Sequence, residues 1–179
     1  PVIYHQNTIC IEINSIEEFS TIISVEALKN KSPFKDVNYI EHRYFKHPYY
    51  KYKVCAFLDK KLNKSGVIVL REVTFETSKA LRIIDFFGDD QVIKDTGYFF
   101  DLMMKENEYE YVDFYNYGIS KDIIQEAGFV ERTKEDVNII PNFFEPFERK
   151  NGDIYFHTSS LVNLYAYKGD GDQDRPNVL

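Results

Sequence analysis

Residues 83–129 read IIDFFGDDQVIKDTGYFFDLMMKENEYEYVDFYNYGISKDIIQEAGF, and the order of elements inside that stretch decides the fold. Ile83–Phe87 is a short apolar run of strand length, and Gly88–Gln91 is a turn. Val92–Glu106 places Ile93, Phe100, Met103 and Met104 on one helical face. Tyr109–Tyr115 is a second strand. Ser120–Ala127 is a shorter helix closed by Gly128, a residue suited to the position after a helix end. A strand, a crossover helix and a second strand with short joints give two parallel strands. The unpaired N–H groups of the long helix then face the end of the first strand, which suits an extended, phosphate-bearing cofactor.

Upstream, Ile9–Ile13 is a strand. Ser15 and Glu18 form a capping box, and Ile16, Phe19, Ile23 and Ala27 extend a helix to about Leu28. A second helix runs from Val37 to Phe45, capped by Asp36 and stopped before Pro48. Tyr50–Leu58, Val67–Phe75 and Leu81–Phe87 read as three strands joined by tight turns, an antiparallel meander. Downstream, Val130–Ile140 and Gly152–Tyr167 are strand-like, separated by the Pro- and Phe-rich loop Pro141–Arg149. The expected order is β-α-α-β-β-β-α-β-α-β-β: one α/β domain with a mixed sheet over residues 1–168, followed by an acidic tail at 169–179.

Bulk properties narrow the function. The 179 residues suffice for one well-cored domain. A formal net charge of −7 argues against nucleic acid as a partner, because phosphate binding needs clustered Lys and Arg. The longest purely apolar run, Val67–Leu70, is far too short to span a membrane. Cys10 and Cys55 are distant in sequence, and His5, His42, His47 and His157 are scattered. No metal-ligand spacing or disulfide framework emerges, so no metal and a reducing, cytoplasmic location are expected. The 15 Phe and 14 Tyr fit aromatic-rich strands. The chain starts at Pro1, which reads as a processed product or a piece of a longer protein.

The element order resembles the GNAT superfamily of N-acyltransferases over roughly residues 8 to 168. The local signals are Ile83-Ile84-Asp85-Phe86-Phe87 ahead of the long helix and Ile123-Ile124-Gln125-Glu126-Ala127-Gly128-Phe129 at the end of the second. Tyr39–Tyr49 (YIEHRYFKHPY) is also similar to a segment of GNAT-like proteins encoded with bacterial surface-polysaccharide enzymes. The resemblance implies acetyl-CoA or another acyl-CoA as donor and a small-molecule amine as acceptor, such as a nucleotide-linked amino sugar. It implies that Phe86, Phe87 and Gly88 line the cofactor arm and the thioester carbonyl. Gln91 and Val92 would offer helix N–H groups to the pyrophosphate, and Asn116 would contact the arm. Candidate proton carriers are Glu72 or Asp85 as base and Tyr117 as acid. Arg43 or Arg71 would supply basic contacts to a nucleotide diphosphate.

The chain departs from the family pattern at the cofactor. The phosphate loop from Gln91 reads Gln-Val-Ile-Lys-Asp-Thr, with Lys94 and Thr96 where small residues belong. Asp89 and Asp90 sit where phosphates would, and a like-charge pair at 4 Å near a surface is worth about 4 kcal/mol of repulsion. The same aspartates are good N-caps, favourable by about 1 kcal/mol. Ile124 stands where many members carry an acidic Tyr. Asp85 reads equally as a satisfied buried polar residue. Asp170, Asp172 and Asp174 alternate as in a calcium loop, but Arg175 stands where the loop glycine belongs and the chain ends before a closing Glu. The tail therefore reads as a solvated terminus, a looser calcium site, or a folded-back segment lining the acceptor cleft with its Asp residues and Arg175. Two functions follow: an N-acyltransferase, or a non-catalytic module of the same fold with a decayed cofactor site.

Overall fold

A computed structural model describes residues 2–133, 135–144, 146–171 and 174. Six strands form one mixed sheet in spatial order β1 (Val2–His5), β2 (Thr8–Ile13), β3 (Lys53–Asp59), β4 (Lys64–Phe75), β5 (Ser78–Gly88) and β6 (Val112–Phe114). Only the β5–β6 pair is parallel, over Leu81–Ile83 against Val112–Phe114. Strand alternation sorts the meander onto two cores. Cys55, Phe57, Ile68, Leu70, Leu81 and Ile83 face one layer, and Val54, Ala56, Val67, Val69 and Ile84 face the other.

The first layer is α4 (Gly97–Asn107) and α5 (Lys121–Glu126), which bury Phe99, Phe100, Met103 and Ile123. The second is α1 (Ile16–Ile22), α2 (Val25–Lys29) and α3 (Val37–Ile40), which bury Phe19, Leu28 and Ile40. The cores match the expected apolar faces, but several boundaries differ. The helix expected to run to Leu28 breaks at Ser24, whose hydroxyl caps α2 by accepting the Ala27 N–H at 3.2 Å. The helix over Val37–Phe45 widens after Ile40 into a π turn, Glu41–Phe45. The long helix expected from Val92 is a 3-10 segment, Asp90–Thr96, followed by α4. Thr96 is buried and its hydroxyl donates to the Ile93 carbonyl at 2.7 Å, holding the tighter turn.

The two closing strands expected at Val130–Ile140 and Gly152–Tyr167 do not form as such. Asn151 bonds the Ile140 N–H and the Asp136 and Asn138 carbonyls, and Arg132 bonds the Gly152 carbonyl. Side chains satisfy this backbone in place of a ladder. Only β8 (Ala166–Tyr167) remains of the second strand, paired antiparallel with β7 (Asn116–Tyr117), which continues beyond β6. The expected tail is partly inside the fold. Lys168–Asp170 forms a 3-10 turn, and Lys168, Gly169 and Asp174 are buried. Asp172 and Arg175 lie outside the described residues.

One further feature of β5 positions the site. Val69 pairs with Asp85 but Leu70 pairs with Ile83, so β5 carries an extra residue at a bulge. A bulge re-aims side chains. Here it lets Asp85 join Ile84 on the α1–α3 side, while Phe86 returns to the α4–α5 core.

The 3-10 reading of residues 90–96 is testable at Gly97. A Cβ there would stand 2.5 Å from the Ala127 carbonyl oxygen. Gly97→Ala is therefore expected to lower stability by about 1–3 kcal/mol. A continuous, unobstructed helix would instead gain about 1 kcal/mol from the change. The denaturant midpoint separates the two.

Candidate functional site

Beyond Ile83 and Phe114 the two parallel strands part. The gap is bordered by the end of β5, by α2 with the loop after it, and by residues 163–170. Ser32 clamps the last segment, donating its N–H to the Asn163 carbonyl at 2.8 Å and accepting the Tyr165 N–H at 2.7 Å. Gly169 lies against the Ile84 carbonyl and the Tyr44 hydroxyl. A cavity of about 20 Å³ remains, lined by Lys31, Lys35, Asp85, Phe86, Tyr165 and Tyr167 among others. That is room for about one water molecule. Roomier grooves of about 420 and 510 Å³ run elsewhere on the surface, and Asp85 lines neither.

At the floor of the gap stands Asp85, fully buried. Its Oδ2 meets Lys35 Nζ at 2.6 Å and accepts from the Tyr44 hydroxyl at 2.5 Å. Its Oδ1 accepts the Phe86 N–H at 2.9 Å. Lys35 reaches on to Asp170 at 2.8 Å. Burial raises the Asp85 pKa above the usual carboxylate value and Asp170 adds to it, against the pull of Lys35. Burial pushes Lys35 down, but the two carboxylates push it further up, so it stays protonated. Burial and Asp85 hold the Tyr44 phenol well above its ordinary value.

Two further ionic clusters anchor the same terminal segment. Asp174, fully buried, meets Arg43 Nη2 at 2.7 Å, Arg71 Nε at 2.6 Å and the Tyr52 hydroxyl at 2.7 Å. Asp113 meets Arg82 at 3.0 Å and Lys168 at 3.1 Å, and Arg82 also donates to the Pro141 and Asn142 carbonyls. Asp113 faces two cations, which outweigh its burial and lower its pKa. Lys168 suffers burial and the like charge of Arg82, which outweigh the pull of Asp113 and Asp174, and is pushed down to about 7.

The expected site residues do not converge. Asp85 is in the gap, but its Oδ atoms are engaged. Glu72 lies on the opposite face of β4 from Arg71, exposed, accepting from the Tyr109 hydroxyl at 2.8 Å. Tyr117 is exposed, with its ring 5.1 Å from Phe156. Phe86 and Phe87 are core residues on opposite faces, and the Phe86 N–H is held by Asp85. Gly88 needs no ligand to explain it: its φ is +107° and a Cβ would stand 2.5 Å from the Ser65 carbonyl oxygen. The Gln91 N–H bonds the Asp89 carboxylate at 2.9 Å and the Val92 N–H bonds the Asp89 carbonyl at 3.2 Å. Asn116 donates back to the Phe114 carbonyl at 3.3 Å. Asp90 pairs with Lys31 at 2.7 Å and accepts from Tyr165 at 3.0 Å, and Lys94 turns away to Glu126.

Residues missed by sequence reasoning are Lys35, Tyr44, Tyr52, Arg82, Asp113 and Lys168. Apart from the Arg43–Tyr52 bond, nine positions apart, their side-chain partners lie 31 to 135 positions away, so no local spacing betrays them. The one available signal was the density of Arg, Tyr and His in Tyr39–Tyr49. Among the described residues, no group of three or more His, Cys, Asp or Glu is placed to hold a metal, and no helix is long and apolar enough to cross a membrane. In comparisons with protein-family models, curated proteins and solved structures, the chain matches none.

Lys35→Met leaves Asp85 buried without its cation and is expected to destabilise the protein by about 3–5 kcal/mol in denaturant unfolding. Lys168 has a folded pKa of about 7 against an ordinary 10.5. Between those values the unfolded chain binds more protons, so this group makes stability rise with pH. The stability difference between wild type and Lys168→Met is expected to shift in favour of wild type from pH about 7 to about 9.5. A pH-independent difference in unfolding midpoint would contradict the assignment.

Proposed function

We propose that this chain is a GNAT-type domain whose donor half is closed to acyl-CoA and whose remaining role is recognition of a small ligand on the acceptor side. The observation that carries this reading is the state of the N–H groups. Those of Phe86, Gln91 and Val92, which a thioester carbonyl and a pyrophosphate would require, are already bonded to Asp85 and Asp89. Asp89 and Asp90 also place two carboxylates where phosphates would bind, each matched to a lysine of the chain, Lys64 and Lys31. The gap itself holds only about 20 Å³. The GNAT-type order of elements is supported by the meander, by the single parallel pair that parts beyond Ile83, and by the helix crossing between those strands.

A second reading has its own support. Asp85, Lys35 and Tyr44 form a buried polar cluster with shifted pKa values at the mouth of parted parallel strands, the kind of environment that tunes proton carriers. In that reading the chain is an N-acyltransferase. Residues 163–170 withdraw, an amine attacks the acyl-CoA carbonyl, its proton passes to Asp85, the carbon–sulfur bond breaks, and the departing thiolate takes that proton from Asp85 to leave as the CoA thiol.

Thermal unfolding with acetyl-CoA at about 1 mM separates the two. The closed reading expects no shift. Binding at a hundredfold over its Kd would add about 2.7 kcal/mol, a rise of roughly 5–10 °C for a domain of this size. Such a rise, reversed by dialysis into CoA-free buffer, would overturn the closed reading in favour of the acyltransferase.

A further inference from the structure

The pocket that receives Asp174 has the features of a site for a free anion. Arg71 extends inward from β4 and is buried, with Tyr50 stacked on its guanidinium at 3.9 Å. Arg43 comes from the π turn Glu41–Phe45, a distorted helical geometry that often marks functional sites. The turn is closed by the Lys46 N–H on the Glu41 carbonyl at 2.9 Å, and it presents Arg43 and Tyr44 to neighbouring targets. Arg43 also donates to the Tyr52 hydroxyl. Two guanidiniums and a phenol therefore aim at one point.

Both arginines are permanently charged, and among the described residues they share one carboxylate, Asp174. His47, beside them, has its pKa pressed down by burial and then by Arg43, as expected in a positive field. The fit of Asp174 is also incomplete. Its Oδ1 lies 2.6 Å from Arg71 Nε, yet the pair is not aligned as a hydrogen bond, and neither buried atom has another hydrogen-bond partner. A planar or tetrahedral oxyanion free to rotate would align on both guanidiniums at once.

We infer that Arg43, Arg71 and Tyr52 form a binding site for a carboxylate or phosphate group of a small ligand, and that Asp174 occupies it as an intramolecular competitor. The terminal segment places a second carboxylate, Asp170, on Lys35. The two cationic positions adjoin, because Tyr44 on Asp85 and Tyr52 on Asp174 have rings 5.2 Å apart. The ligand class is thus a small molecule bearing a carboxylate or phosphate group. The site stands whether or not the chain transfers acyl groups, and its test contains no acyl-CoA.

Isothermal titration with inorganic phosphate and, separately, with acetate tests the site on the full chain. A competitor tethered by a short segment acts at an effective concentration in the millimolar range. Asp174→Asn is therefore expected to bind one of the two anions at least about tenfold more tightly than wild type. Tighter phosphate than acetate identifies a phosphoryl ligand, and the reverse identifies a carboxylate. Adding Arg71→Met to that background is expected to abolish the gain. Folded Asp174→Asn that binds neither anion at about 10 mM, or binding that Arg71→Met leaves unchanged, overturns the inference. If Asp174→Asn does not fold, wild type against Arg71→Met decides: weak wild-type binding lost in the variant supports the site, and absent or unaffected binding overturns it.

Discussion

A single carboxylate with no access to water organises the centre of this protein. Asp85 is turned toward the α1–α3 layer by the bulge in β5, and a buried charge is tolerable only when its oxygens are matched by donors. Lys35, the Tyr44 hydroxyl and the Phe86 N–H supply them. Lys35 in turn is raised in pKa by two anions against its burial, and Asp170 is the second. Asp170 brings residues 163–170 against β5, and Asp113 and Asp174 fasten the same segment through Lys168, Arg43 and Arg71. The closure of the gap between β5 and β7 follows from that chain of charge matching.

The same logic separates the two ends of the site. At the end of β5 the acidic groups Asp89 and Asp90 are part of the scaffold. Asp89 caps the 3-10 turn and pairs with Lys64, and Asp90 pairs with Lys31. These bonds hold both carboxylates to lysines of the chain. Around Asp174 two guanidiniums converge on one imperfectly aligned carboxylate.

The meander, the crossover helix and the second parallel strand were legible because alternation and helical spacing are local, and because burial acts on each residue by type. Asp36, Ser15 and Gly128 were legible as caps for the same reason. The break at Ser24, the 3-10 segment before Gly97 and the loss of the two final strands were not. Each depends on a contact from elsewhere: the closeness of Ala127 to Gly97, the buried Thr96 hydroxyl, and the Asn151 bonds to residues 136–140. Asp85, Glu72 and Tyr117 were grouped as proton carriers by the family resemblance, and the fold places them apart. Strand alternation puts Glu72 on the far face of β4, and Tyr117 turns outward from β7.

By itself, then, the amino-acid sequence determined the α/β class, the two apolar faces of the sheet, and the run of antiparallel strands ending in a parallel pair. These follow from periodicity and residue type, which are carried along a few consecutive residues. Only the tertiary structure decided which charges meet. Lys35 with Asp85 and Asp170, Arg43 with Arg71 around Asp174, and Arg82 with Asp113 and Lys168 join residues that are remote in sequence. Their pairing is set by the burial that each carboxylate suffers once the layers close, a condition that no local stretch of the chain contains.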